Sequence, residues 1–222
     1  NAAAGMTAPE TARHDNPYRE WIGAQIRGDF YGYLNPGRPE EAAAMAWRDA
    51  SISHVKNGIY GEMYAAALIA AAAVCTDIET IIQAGVAQIP RNCRLRRGIE
   101  QVLGWYKEGV DSDAILERIH GEYDENQMHH WCHTIPNTMI VTAALLCGGG
   151  DFGKSICLAV QAAFDTDCNG ATVGSVLGMF GGAKRIEAHW TAPFRDGLVT
   201  AIDGFQMVTP EQLTARTLAL MG

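Results

Sequence analysis

The segment from Ile59 to Val74 is almost wholly small and apolar, and alanine fills most of its second half. No other feature constrains the fold as much. A helix of this composition has no polar face to offer water, so other elements must surround it on most sides. The longest apolar run within it, Ala65 to Val74, falls short of the ~20 residues needed to span a bilayer, so no membrane partner is expected. The chain must therefore supply enough further structure to bury this helix, and its 222 residues can do so as one domain.

The rest of the chain reads as helix after a polar lead over residues 1–15. Pro39 to Val55 places Ala43, Ala46, Trp47 and Ala50 on one face, with Pro39 where a first turn tolerates it. Thr76 to Ala87 is a shorter helix closed by Pro90. Asn92 to Lys107 is amphipathic, with Asn92 as candidate cap and Gly109 as stop, and Asp111 caps a helix to His120. Thr134 to Cys147 carries Pro136 in its first turn and stops at Gly148, Gly149 and Gly150. Asp151 caps a helix through Phe164, and Asn169 to Phe180 ends at Gly181 and Gly182. Thr209 and Gln212 form a capping-box pattern ahead of a last helix with Pro210 in its first turn. Strand alternation is nearly absent. The prediction is a single all-α domain over 1–222, a compact bundle of helices packed on one another.

Composition removes several functions. The net charge is −8, which argues against a nucleic-acid duplex as partner, since displacing counterions needs a basic stripe. The one dense basic cluster, Arg91, Arg94, Arg96 and Arg97, reads as a solvated helix face. Asn1 to Pro9 has neither a charged nor an apolar leader pattern, and the initial asparagine points to processing, truncation or a further segment upstream. Six scattered cysteines without a CxxC pair fit reduced thiols buried as small apolar residues, and hence a cytoplasmic location.

The chemistry concentrates in Phe164-Asp165-Thr166-Asp167-Cys168-Asn169-Gly170. Carboxylates at i and i+2 diverge on a helix, but from a turn preceding one they can converge on a single ion. Oxygen ligands of this kind suit Mg²⁺, Ca²⁺ or Mn²⁺, and a cation relieves the repulsion between two close acids. The competing reading is that Asp165 and Asp167 only cap the helix that follows. Gly170, Gly174, Gly178 and Gly182 recur every fourth residue along that helix. Each interior glycine costs about 1 kcal/mol relative to alanine, which a backbone-to-backbone approach of another helix would justify.

Two further clusters flank this one. Asp49 to Gly61 contains His54, Asn57 and Gly58 at a junction of helices. There His54 either donates to a phosphate or ribose hydroxyl or serves as a hydrogen-bonded structural residue, and Asn57-Gly58 permits a tight turn. In His129-His130-Trp131-Cys132-His133, two histidines stand one turn apart, but no second pair of ligands completes a zinc site. His133, Thr134 and Asn137 at a helix start could face the same cleft as His54. No GxGxxG after a strand, Walker loop or GxSxG elbow occurs.

From about Gly28 to Gly182 these segments resemble the ADP-ribosylglycohydrolase family, including the dinitrogenase-reductase-activating glycohydrolases. The similar parts are Ala-Trp-Arg-Asp49-Ala-Ser-Ile-Ser-His54, His133-Thr-Ile-Pro-Asn137 and Asp165-Thr-Asp-Cys-Asn-Gly-Ala-Thr-Val-Gly-Ser. The resemblance implies an all-α orthogonal bundle with a binuclear Mg²⁺ or Mn²⁺ centre. It implies hydrolysis of ADP-ribose from a protein side chain or a small conjugate. Asp165 and Asp167 match metal-binding aspartates, and Cys168 stands where threonine or serine is usual, though a thiol is a poor Mg²⁺ ligand. His54, Asn57, Gly58, His133, Asn137 and Asn169 are the expected ADP-ribose contacts. The family's early acidic motif has no counterpart, because no Thr-Asp-Asp occurs in the sequence. The chain is therefore expected to be the C-terminal portion of the fold. The catalytic residue would lie upstream of Asn1, on a missing N-terminal segment of the same protein. The rival reading is a non-catalytic ADP-ribose-binding or structural, crystallin-like relative.

Overall fold

A computed structural model describes residues 1–194 and 197–221. Its helices run, in chain order, α1 Glu10–Arg13, α2 Asp29–Leu34, α3 Pro39–Ala50, α4 Asn57–Ala72, α5 Ile78–Ala87, α6 Arg94–Lys107 and α7 Ser112–Glu122. They continue as α8 Met128–Trp131, α9 Thr134–Gly148, α10 Phe152–Gln161, α11 Thr166–Gly181, α12 Ala188–Thr191 and α13 Pro210–Leu220. One short antiparallel pair, β1 Leu198–Val199 with β2 Met207–Val208, stands outside the all-α expectation. No helix among the described residues is long and apolar enough to cross a membrane.

The alanine-rich helix is where its composition requires it to be. α4 packs against α2, α3, α5, α9 and α11, and Leu68 and Ile69 are fully buried. α9 is the second central helix, buried along nearly its whole length and packed against α6, α7, α10 and α11. Between them lies one apolar core that includes Ile81, Leu95, Ile99, Met139 and Leu145. Each such side chain contributes about 1.5–3 kcal/mol by leaving water. The α3–α4 seam is a separate alanine cluster of Ala42, Ala46, Ala66 and Ala70. A seam of methyl groups holds the two helices too close for an indole. Trp47, expected on the buried face, is accordingly 51% exposed.

The caps follow the sequence closely. Asp111 and Asp151 each accept from a backbone N–H three residues on, and Thr209 with Gln212 closes the capping box. Asp77, not among the expected caps, does the same for α5. Three expectations are corrected. α6 is capped by the Cys93 thiol instead of Asn92. All six cysteines are free, yet none is fully buried and Cys157 is exposed. The helix from Asp151 ends at Gln161, short of Phe164, because Ala163 and Phe164 adopt φ of 60° and 57°. Left-handed geometry costs a non-glycine residue roughly 1–2 kcal/mol. That strain is placed directly before the acidic turn.

The glycine stripe of α11 does not bring two backbones together. A methyl group at Gly170 would stand 3.2 Å from Val160 Cγ2 and one at Gly174 3.5 Å from Ile156 Cδ1, both side-chain atoms of α10. Gly182 has φ 73° and ends the helix. What fixes the acidic turn is different.

Candidate functional site

Asp165 is the N-cap residue of α11, and its side chain makes no capping hydrogen bond. Because Asp165 lies just outside the helix and Asp167 in its first turn, their carboxylates do not diverge as two helical residues would. One ligand atom each from Asp165, Asp167 and Cys168 lies within 4.8 Å of the others. Capping alone therefore fails to explain the pair. Burial raises the Asp165 carboxyl above its usual range and Asp167 adds to this, partly offset by a hydrogen bond from the Cys168 thiol. Burial and the two carboxylates push the Cys168 thiol well above its ordinary value. Among the described residues, no lysine or arginine forms an ion pair with Asp165 or Asp167. The cluster is short of positive charge.

Asn137 holds this turn in place. Fully buried near the start of α9, it accepts from the Asp165 N–H at 3.0 Å and from Asn169 Nδ2 at 2.8 Å. Its own amide donates to the carbonyls of Trp131 (2.8 Å) and His133 (2.9 Å). Trp131 Nε1 in turn donates to the Phe164 carbonyl at 2.9 Å. Asn137 and Asn169, expected to contact ligand, are instead the internal struts of the acidic turn, and both are 0% exposed.

His133 caps α9 by accepting from the Ile135 N–H at its Nδ1, and its ring packs edge to face on His129 with centroids 5.3 Å apart. Burial lowers His133 to about 4, so it is neutral at physiological pH. The strand-like segment 20–22 runs beside 132–134. Ile22 N–H donates to the Cys132 carbonyl at 2.8 Å and Thr134 N–H to the Glu20 carbonyl at 3.1 Å. These bonds fix one wall of a cleft against the acidic turn.

The opposite wall comes from the end of α3. His54 is tied to its helix by its N–H to the Ala50 carbonyl at 2.8 Å. Ser53 Oγ stands 2.8 Å from His54 Nδ1 and accepts from Arg27 Nη2 at 2.8 Å. Arg27 is itself held by a bond from Nε to Asp49 Oδ2 and by Nη1 to the Gly23 carbonyl at 3.1 Å. Burial and the Arg27 charge lower His54 to about 4. Beneath Arg27 lies Glu62, 0% exposed, with neither carboxylate oxygen accepting a hydrogen bond and Arg27 Nε 4.0 Å away. An anion there would have no hydrogen-bond donor, and the one nearby cation, Arg27, is shared with Asp49. Burial and the nearby Asp49 accordingly push Glu62 up to about 9, so it is a neutral acid. Burial also opposes ionisation of Asp49, but its bond and ion pair with Arg27 outweigh this and keep it ionised.

Asn57 and Gly58, expected as ligand contacts, have other work. Asn57 Nδ2 donates to Glu20 Oε2 at 2.6 Å and its Oδ1 accepts from the Leu95 N–H at 3.0 Å, which anchors the start of α6. Both ends of that amide are occupied. Gly58 permits close packing, because a Cβ there would stand 2.6 Å from the Arg19 carbonyl oxygen. Asp29 accepts from Ser175 on α11, and burial raises it to about 6.

The two walls enclose a cleft of about 410 Å³ lined by Trp21, Gly23, Ser53, His54, Cys132, Asp165 and Cys168. Of the expected site residues, His54, Asp165 and Cys168 meet there. A groove of about 460 Å³ between Tyr33, Met179 and Leu213 contains none of the motif residues, so size alone does not mark the site. Sequence reasoning missed Arg27, Glu62 and Cys132. Arg27 is a lone arginine with no spacing to mark it, Glu62 is one acid in an apolar helix, and Cys132 is overshadowed by the histidines beside it.

The family model for ADP-ribosylglycohydrolase matches residues 2–218. No curated protein and no solved structure matches the chain. The family match extends well beyond the Gly28–Gly182 range carried by the motifs. It begins at residue 2 and takes in essentially the whole chain. The family is one of hydrolases that act on ADP-ribose linkages. With its all-α fold and a match over nearly its entire length, the chain belongs to the ADP-ribosylglycohydrolase family.

Proposed function

We propose that the chain is a metal-dependent hydrolase that cleaves the glycosidic bond between ADP-ribose and a protein side chain or a small acceptor. The observation that carries this reading is the convergence of His54 with Asp165 and Cys168 on one cleft, from motifs far apart in sequence. The cleft falls within the size range of small-molecule sites.

The donor set fits a divalent cation. Asp165 and Asp167 offer hard oxygens, the Asp165 carboxylate is not used as a cap, and no side-chain cation balances the pair among the described residues. Asp165 and Asp167 would hold Mg²⁺ or Mn²⁺, in a binuclear centre as the family resemblance implies. A divalent ion supplies positive charge that polarises ribose hydroxyls and acidifies a water. Cys168, softer than a hydroxyl, is left to hydrogen-bond the carboxylates. Asn137 keeps the Asp165 backbone from shifting as ligand binds. His54, neutral and backed by Ser53, contacts ADP-ribose from the other wall. The proposed location is the cytoplasm.

The test is release of ADP-ribose from ADP-ribosylated protein by the whole chain, with and without Mg²⁺ or Mn²⁺. The expected result is metal-dependent release that falls about 100-fold or more in Asp165→Ala and Asp167→Ala. ADP-ribose binding with no release in either metal would instead favour a non-catalytic binding protein.

A further inference from the structure

We infer that the β1–β2 hairpin and α13 form a docking surface for a second copy of this chain, joined as a two-fold pair. The inference goes beyond the ADP-ribose cleft, because this surface carries none of the cleft residues.

Helix α13 sets Leu213, Leu218 and Leu220 among threonines and alanines, and none of its residues is buried. A surface helix in water normally hides its apolar stripe against the body of the protein. Here Leu218 stays 60% and Leu220 68% exposed. The hairpin repeats the pattern, with Val199, Ile202 and Met207 exposed as well. Hairpin and helix act as one unit, since the Arg216 guanidinium carbon sits 4.1 Å from the centre of the Phe205 ring. Toward the body, Leu213 and Leu218 face Tyr33, Pro36 and Met179 across the apolar groove of about 460 Å³. The unit therefore has an unfilled groove on one side and uncovered leucines beside it.

The area of the chain points to a second copy. It exposes 11591 Å² at a mass of 24.0 kDa. A folded monomer of that mass exposes about 9,900 Å², which leaves a surplus of about 1,700 Å². One partner in a standard interface buries about 800 Å², so the surplus is large enough to supply one.

Charge points the same way. Two copies of a chain with net charge −8 repel each other unless they meet where that charge is sparse. Residues 197–221 carry Asp203, Glu211 and Arg216 as their charged side chains, a net −1 of the −8. This is the patch on which the chain can meet itself. A nucleic acid or an anionic membrane would need a basic rim, and Arg216 is the one basic residue in that stretch. Self-association also suits the shape. A two-fold contact uses the same patch twice, and this patch supplies both a groove and the apolar side chains to fill its twin.

The experiment is sedimentation velocity of the whole chain from about 1 to about 100 μM, where a reversible pair shows mass action. The expected species is a dimer of twice 24.0 kDa. Leu218→Glu with Leu220→Glu should raise the dissociation constant about 100-fold or more by placing like charges in the contact. Met128→Glu, at an equally exposed apolar side chain on α8, should leave the dimer intact. Thermal melts check that the variants fold. If the double variant does not, Leu220→Glu alone decides, since Leu220 does not line the groove. A monomer at every concentration would overturn the inference, as would a dimer that these leucine substitutions leave unchanged. A monomer that instead pellets with phosphatidylglycerol vesicles would also overturn it, and would give the surface to a lipid.

Discussion

The two walls of the cleft handle charge in opposite ways. On the His54 wall, two acids lie beside one arginine, and the structure neutralises the surplus by keeping Glu62 protonated while Asp49 pairs with Arg27. On the Asp165 wall, two acids and a thiol crowd together with no side-chain cation within reach among the described residues. The first wall is balanced by the chain itself. The second is left short of positive charge, which is how a site for a cation differs from a structural ion pair. The polar struts differ too. Arg27 organises its wall with a charge, and Asn137 organises the other with a neutral amide that adds no charge to the acidic turn.

The largest test of this contrast is removal of the neutral strut. Asn137→Ala strands the Asp165 N–H, the Asn169 amide and two carbonyls in a buried setting. A loss of about 3 kcal/mol in urea unfolding is expected, with metal response lost alongside it. If the variant unfolds like the wild type, the acidic turn is held by something else.

Protonation distinguishes the walls next. A folded-state value of about 9 for Glu62 lies above its ordinary 4.5. Its contribution is therefore full below 4.5 and is lost as pH rises toward 9. His54 and His133, lowered from 6.5 to about 4, act the other way, contributing fully above 6.5 and losing stability as pH falls to 4. Stability should thus peak near pH 6.5 and decline on both sides. Glu62→Gln keeps the neutral donor and removes the ionisable group, so it should stabilise the protein by about 2 kcal/mol at pH 8, flatten the alkaline limb and steepen the rise between pH 4.5 and 6.5. Thermal melts of both proteins across pH 4–9 would measure this, and an unchanged alkaline limb would refute a protonated Glu62.

The smallest expected effect concerns the glycine stripe. At Gly174 a methyl group would meet Ile156 Cδ1 at an ordinary 3.5 Å. Gly174→Ala should therefore gain up to about 1 kcal/mol from helix propensity in a denaturation curve. A clear destabilisation would restore the idea that the stripe exists for close packing.

Much of this fold is legible in the sequence because its signals are local. Side-chain caps at Asp111, Asp151 and Thr209 lie within three residues of the N–H groups they serve. The apolar run of α4 could go only to the centre. Where local signals compete, the reading fails. Nothing in Asp151 to Phe164 announces that Ala163 and Phe164 leave the right-handed region, since neither is a glycine or asparagine and the Asn137 and Trp131 contacts that hold the turn come from elsewhere. The polar residues divide in the same way. Sequence alone could offer Asn57, Asn137 and Asn169 as ligand contacts because a buried strut and a binding residue have the same composition.

The sequence by itself determined an all-α chain with a central alanine helix, and an acidic pair at the start of a late helix. Those features follow from periodicity, caps and spacing, which act over a few residues. Only the tertiary structure decided that Asp165 meets His54 across one cleft, that Glu62 is a neutral acid, and that Arg27 bonds Asp49 and Ser53, 22 and 26 positions later in the chain. Those outcomes depend on burial and on through-space partners, and the dielectric and donor count around a side chain exist only once the helices have packed.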